Sequence, residues 1–395
     1  MPRDFDFPRS YEQETLPEQP ESKLKDYTER TRLRRGRMDI PFLAMVLTLL
    51  IIGVIMILSA SFARSYYEQG NPTVVFRRHL LFAAFSVVVM YVSSWVRPSL
   101  IRKYSKILMF ISAGLLVVVL AMGKLAGGAT RWIGTDRAGF QPSEITKLAV
   151  ILYFPAISCR YKNQIRTIRY GIVPFLIWLG AIAVLLILEP HYSATIIVLA
   201  LGFVLMFAGG SSIKHLLVIG AIGVAGMAVM LIMRGYTADR IAAMQDPFSQ
   251  LQNDGWQIVQ SLYAVGSGGL LGMGLGQGMQ KYLWLPMEHN DYIFAVICEE
   301  LGFIGAVLIL ILFVLLILRG YWLAIHARDR YSALIIIGIT THLALQVILN
   351  VAVVLNIIPS TGISLPFISY GGTALFIQMA EMGIVLSASR DIEEK

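Results

Sequence analysis

Apolar residues in this chain run in long unbroken stretches, without the short alternation that marks half-buried elements of water-soluble domains. A helix needs about 20 mostly apolar residues to cross the hydrocarbon core of a bilayer. Ten segments are read as such spans, at approximately 39–63, 79–96, 104–123, 142–159, 172–188, 192–208, 213–233, 291–318, 332–356 and 368–388. The fourth and sixth are short, and only Glu189-Pro190-His191 separates the fifth from the sixth. Backbone polar groups in lipid must pair within the segment, so runs of this length form helices. The pattern predicts an all-α polytopic membrane protein with about ten transmembrane helices. Residues 1–38, polar and rich in Glu, Pro and Arg, are expected to form a disordered cytoplasmic tail. Residues 39–388 form the helical domain and 389–395 a short cytoplasmic C-terminal tail. Two external segments stand out, 124–141 and the large extracytoplasmic loop 234–290 before the eighth span. Long connections of this kind tend to carry function.

Composition strengthens the membrane reading. Hydrophobic residues make up 56%, charged residues 15%, and mean hydropathy is +0.67; soluble domains carry roughly a quarter charged residues, so a set of soluble domains is excluded. The net charge of +8, from 33 Lys and Arg against 25 Asp and Glu, raises the question of a nucleic-acid partner. Mapping it answers the question. With the N-terminus inside, 23 of the 33 basic residues fall in cytoplasmic segments, and Arg30, Arg32, Arg34, Arg35 and Arg37 directly precede the first span. The excess charge thus predicts topology, with both termini cytoplasmic in the plasma (inner) membrane, and no nucleic acid is expected. No cleavage site follows the first apolar run, which reads as an uncleaved anchor. Cys159 and Cys298 lie in or at the end of apolar runs and offer neither a disulfide framework nor zinc spacing.

Ionisable groups at membrane depth are costly and point to function. Here they gather on the outer side. Arg131, Glu144 and Lys147 border the fourth span; Glu189 and His191 lie between the fifth and sixth; Glu288, His289 and Asp291 open the eighth, with Glu299 and Glu300 further in and Glu381 in the tenth. His342, Gln346 and Asn350 recur every four residues and share one helix face. For these three and Glu381, polar contacts between helices are the simpler reading. In Glu288-His289-Asn290-Asp291, where a long external loop becomes a helix, the carboxylates and the His near a helix start suit a general base. The glycine-rich run 266–278 lacks the Lys-Ser/Thr of a phosphate loop, and Gln277 stands where a dinucleotide fingerprint starting at Gly272 requires glycine. A re-entrant or closely packed external segment fits it better. No nucleotide-binding domain is evident, which excludes ATP-driven transport by this chain alone.

Several stretches then resemble one family. They are Gly128-Ala129-Thr130-Arg131-Trp132-Ile133, Phe140-Gln141-Pro142-Ser143-Glu144-Ile145-Thr146-Lys147, Arg240 with Asp246-Pro247, Gly255-Trp256-Gln257, Glu288-His289-Asn290-Asp291-Tyr292-Ile293-Phe294, Glu299-Glu300-Leu301-Gly302, and Pro359 to Gly372. In this order they are similar to the SEDS proteins (shape, elongation, division and sporulation), whose members include FtsW, RodA and SpoVE; the wording around Asn290 and Pro359 leans to the FtsW/SpoVE branch. The resemblance implies a peptidoglycan glycosyltransferase that polymerises lipid II on the outer face of the membrane and releases undecaprenyl pyrophosphate, in cell division or in shape or spore-wall synthesis. It implies Asp291 as the base and Arg131, Lys147 and Arg240 as cations that offset charge on the pyrophosphate. Glu144 would hold Lys147 or Arg131 in place, Glu288 and His289 would border the substrate, and Trp132 would pack on a sugar or the lipid, or simply anchor at the interface. His191 departs from the family pattern, which often has an acid there. The implied partner is a cognate class B penicillin-binding protein, a single-span transpeptidase, and the implied place is the division septum. No cofactor is expected and no metal-ligand spacing is seen; any divalent cation would ride on the substrate's pyrophosphate. A lipid II flippase, using Glu299, Glu300 and Glu381 along a polar path, and a non-catalytic scaffold for a transpeptidase are the alternatives.

Overall fold

A computed structural model describes residues 36–122, 124–126, 129–135, 138–162, 164–221, 223, 235–249, 251 and 254–390. The leader through residue 35, Gly128, most of the second half of the expected seventh span and residues 391–395 lie outside the described residues.

Helix α1 (Ile40–Gln69) starts where the Asp39 carboxylate accepts the Phe42 amide at 2.8 Å, an N-cap reinforced by Pro41 in the first turn. It is followed by α2 (Val74–Ser93) and α3 (Pro98–Met122). The external segment after α3, read from the sequence as a loop, is a small antiparallel meander of β1 (Lys124–Ala126), β2 (Ala129–Thr135) and β3 (Ala138–Phe140), with Ile133 opposite Phe140. Then come α4 (Pro142–Arg160), α5 (Val173–Leu188) behind the single turn Ile168–Gly171, and α6 (Tyr192–Ala208). Residues 213–221 are also helical. The large external segment holds α7 (Gly235–Gln245) and α8 (Asp254–Ser267), and α9 (Ile293–Ile325), α10 (Arg330–Val354) and α11 (Gly372–Ser389) complete the bundle.

Among the described residues, seven helical segments are long and apolar enough to cross a membrane: α1, α2, α3, 168–188, α9, α10 and α11. Helix α6, at 17 residues, is a shorter apolar helix. Helix α4 carries Glu144, Lys147 and Pro155. These nine coincide with nine of the ten predicted spans, and the tenth begins as helix over 213–221.

Two cores meet at α4. One packs α1, α9, α10 and α11 around residues such as Leu49, Phe313, Ile339 and Val385; Leu148, Ile151 and Leu152 of α4 belong to it. The other packs α3, α5 and α6, and takes Ala149, Val150, Phe154 and Ile157 from the opposite side of α4. With apolar partners on both faces, α4 has no lipid-facing stripe, and the two charges at its outer end must neutralise each other.

Helix α9 is broken. Gly302 adopts φ 68°, ψ −173°, which interrupts the helical hydrogen bonds. The glycine-rich run supplies the missing partners: Met273 and Gly274 donate to the carbonyls of Glu299 and Glu300, both at 3.0 Å, and Phe303 and Ile304 donate to Gly269 and Leu270. A β-carbon at Gly302 would overlap the backbone of Leu271 and Gly272. Only glycine combines that conformation with that approach. The buried carboxylates of this stretch are held too. Glu299 accepts the Met279 amide at 2.7 Å, and Glu300 pairs with Lys281 at 2.6 Å and accepts the Ser59 hydroxyl of α1. The closely packed external segment expected from the sequence is what forms.

Candidate active site

Asp291 lies two residues before α9, half-buried, at the end of the bundle where the long connecting segments converge. Its backbone carbonyl accepts from the Asn350 amide side chain at 2.8 Å, and the same Nδ2 donates to Ile363 at 2.7 Å. Asn350, buried in α10, thereby ties the residue to the segment 359–371. Two further bonds complete the seam: Ser369 Oγ donates to Asn290 O at 2.7 Å and the Tyr370 amide to His289 O at 2.8 Å. Gly362 sits against the carboxylate, with φ 69°, and a β-carbon there would lie 3.3 Å from Asp291 Oδ2.

Cations surround this carboxylate. Arg240 of α7 donates to Ser360 O, and Ser193 at the start of α6 donates to Thr361 O, so both are pinned to the loop beside Asp291. Arg131 of β2 reaches Pro190 O at 2.6 Å. Arg131, Arg240 and His289 all pull the Asp291 carboxyl toward ionisation, yet burial outweighs them and pushes it from 3.8 up to about 6. A carboxylate tuned to that value is ionised at neutral pH but basic enough to accept a proton.

Lys147 and Glu144 form a buried ion pair at 2.8 Å on α4. Glu144 thus holds Lys147. Lys147 also acts on His191, whose buried imidazole is held well below 6.5, by burial first and then by Arg131 and Lys147; it is neutral. Glu189, 1% exposed beside Arg131, is pushed by burial to about 8, against the pull of Arg131. It is mostly protonated at pH 7 and so adds little negative charge beside Arg131.

The remaining sequence candidates divide. Trp132 is half-buried in β2 next to Arg131. Glu288 is fully buried and held by Arg64 of α1 at 2.8 Å and by His289 Nδ1 at 3.1 Å, so its carboxylate is engaged inside the bundle. His289 packs edge-on against Tyr370. In the bundle interior His342 meets Glu381 at 2.9 Å and Gln378 donates to Gln346 at 2.9 Å, interhelical contacts as expected. Asn350 departs from its two neighbours by supporting Asp291. Glu299, Glu300 and Glu381, the carboxylates a polar path would need, are all engaged. Sequence reasoning gave no role to Arg64, Lys281 or Ser193. Two adjacent acids within a span demand a cation, and that was the available signal for Lys281. Among the described residues no group of three or more His, Cys, Asp or Glu could hold a metal ion.

Comparison with known proteins places the fold and the family. A chain from a solved peptidoglycan synthase complex that coordinates polymerization and crosslinking superposes with a TM-score of 0.74 at 25% identity, over 90% of this chain and 98% of that one. Stage V sporulation protein E of Bacillus subtilis (strain 168) is 38% identical over 354 residues, 89% of this chain and 97% of the relative. A probable peptidoglycan glycosyltransferase FtsW of Trichlorobacter lovleyi is 34% identical over 366 residues, 92% of this chain and 96% of the relative. The family model for FtsW, RodA and SpoVE, described as cell cycle protein, matches residues 40–394. The chain belongs to the FtsW/RodA/SpoVE family, and is a multi-pass membrane protein of its FtsW/SpoVE-like branch.

Proposed function

We propose that this protein is a peptidoglycan glycosyltransferase that polymerises lipid II on the outer face of the plasma membrane, in division or spore-wall synthesis. The observation that carries the reading is a half-buried carboxylate, Asp291, set among Arg131, Arg240 and His289 at the outer end of a helix. The 4-hydroxyl of an acceptor GlcNAc gives its proton to Asp291 as its oxygen bonds to C1 of the donor MurNAc. The bond from C1 to the pyrophosphate oxygen breaks, and undecaprenyl pyrophosphate leaves with the electron pair. Arg131, Arg240 and Lys147 offset the growing negative charge, and preorganised cations in a water-poor site favour that state strongly. Glu144 orients Lys147, Glu288 and His289 fix the backbone that presents Asp291, and Trp132 offers a sugar-sized apolar surface. Any divalent cation would be held by the pyrophosphate of the substrate.

Both termini would lie in the cytoplasm, and a class B penicillin-binding protein would be the partner, with the division septum the expected place. The engaged state of Glu299, Glu300 and Glu381 disfavours the flippase reading. The test is glycan-chain formation from lipid II by the full chain with its transpeptidase, resolved by gel. Polymer from wild type is expected; transbilayer movement of lipid II without polymer would overturn the reading.

A further inference from the structure

The described chain begins and ends on one side of the bundle, where the Gly36 amide donates to Arg390 O at 2.9 Å. On that side the turn between α2 and α3 opens a shallow groove of about 650 Å³. Val92, Trp95, Val96 and Leu100 line its apolar part, and Arg97 and Lys103 flank it. None of these residues belongs to the site around Asp291.

The wall of the groove is fixed from behind. Ser387 of α11 donates to Val96 O. The Arg390 guanidinium lies 4.4 Å over the Trp95 ring and reaches Ser94 Oγ at 3.4 Å. Arg390 is 7% exposed, and its Nε lacks a hydrogen-bond partner. Among the described residues no carboxylate pairs with Arg97, Lys103 or Arg390. Three cations elsewhere in the bundle are matched by carboxylates: Arg319 by Asp39, Lys281 by Glu300 and Arg64 by Glu288. What sets this place apart is that its unpaired cations flank an apolar groove.

A small soluble anion would use the cations and leave the apolar wall idle, and an apolar peptide would do the reverse. A molecule with an anionic head and a hydrocarbon chain uses both. We propose that the groove is a binding site for an anionic phospholipid, its phosphodiester between Arg97 and Lys103 and one acyl chain along Val92, Val96 and Leu100. Basic residues beside a span hold anionic lipid by charge, while their stems and nearby apolar side chains stay in the hydrocarbon. Because α11 already fixes the wall, little ordering is needed on binding.

The full chain in phosphatidylcholine nanodiscs, titrated with phosphatidylglycerol and read by native mass spectrometry, tests this. One phosphatidylglycerol should be retained in preference to phosphatidylcholine. Each basic residue near an anionic group contributes about fivefold, so Arg97→Gln with Lys103→Gln should weaken retention about 25-fold, and either single change about fivefold. Arg97→Lys with Lys103→Arg should bind as wild type. Arg166→Gln with Arg169→Gln removes the same charge from the next basic loop and should leave retention unchanged. Absence of any preference for phosphatidylglycerol, or an equal loss in that control pair, overturns the proposal. So does retention that appears only after residues 391–395 are deleted, because the acidic tail carrying Asp391, Glu393 and Glu394 would then be the occupant.

Discussion

Replacing Asp291 by Asn should abolish polymerisation and at the same time make the protein more stable. Asn keeps the shape, and the bond from Asn350 goes to the main-chain carbonyl of residue 291, so the seam to 359–371 survives. The carboxyl is held at about 6 against 3.8 for the free group. Since the folded value is the higher one, the native state binds the proton more tightly than the unfolded chain. Stability is unaffected below about pH 4, falls as pH rises toward about 6, and the full deficit is present at pH 7. A shift of about 2 pH units corresponds to about 3 kcal/mol, and partial contact with solvent reduces this to on the order of 1–2 kcal/mol. Losing a general base costs about 10²–10⁴-fold in rate. Glycan-chain formation and thermal unfolding of the two proteins, each at pH 4.5 and pH 7.5, check both halves. The Asn variant should unfold at a higher temperature at pH 7.5, with the difference shrinking at pH 4.5. The wild-type rate should drop about tenfold from pH 7 to pH 5, as the ionised fraction falls from about nine-tenths to about one-tenth. A variant that polymerises within threefold of wild type, or a stability gain of equal size at both pH values, would refute the reasoning.

Arg240→Gln removes one of the cations that favour ionised Asp291, so the acid limb of the rate profile should move to higher pH, with a loss of about 10²-fold at its plateau; an unmoved limb would separate Arg240 from the base. Glu189→Gln should be near wild type at pH 7, where the acid is mostly neutral. It should also remove a decline in rate above about pH 8, where ionised Glu189 would cancel Arg131; a large loss at pH 7 would show that the charged form is the one used. Lys281→Met strands the Glu300 carboxylate and should destabilise by about 3–5 kcal/mol, whereas Lys281→Met with Glu300→Leu should recover much of that. Thermal unfolding of the three proteins decides, and a double variant no better than the single one would count against a buried pair.

What the sequence makes legible follows from what one dimension contains. Apolar run length gives the place of each residue along its helix, so the spans, the position of Asp291 at a helix start and the approach of Glu144 to Lys147 one turn on can all be read from the chain. Run length says nothing about the direction a side chain takes around its helix axis. Glu288 therefore looks like a neighbour of the substrate, and in the structure it is bound to Arg64 of α1. Asn350 shares a helix face with His342 and Gln346, yet lies closest to the outer end and supports the base. The meander over 124–140 escaped because two of its strands have only three residues and the third only seven, too short to give a periodic signal. Lys281 escaped because its partner, Glu300, is reached only when the glycine-rich run folds back against α9 just before the break.

That break also settles a question of length. Taken as one rod, the 33 residues of α9 would extend about 50 Å, well past the roughly 30 Å of a hydrocarbon core. Interrupted at Gly302, the part from Phe303 to Ile325 measures about 35 Å, a fit that slight tilting completes. The outer piece is then released from having to match the membrane. Ile293 to Glu300 are buried among the other helices instead, so the position of Asp291 just before them is set by protein packing and does not depend on bilayer thickness.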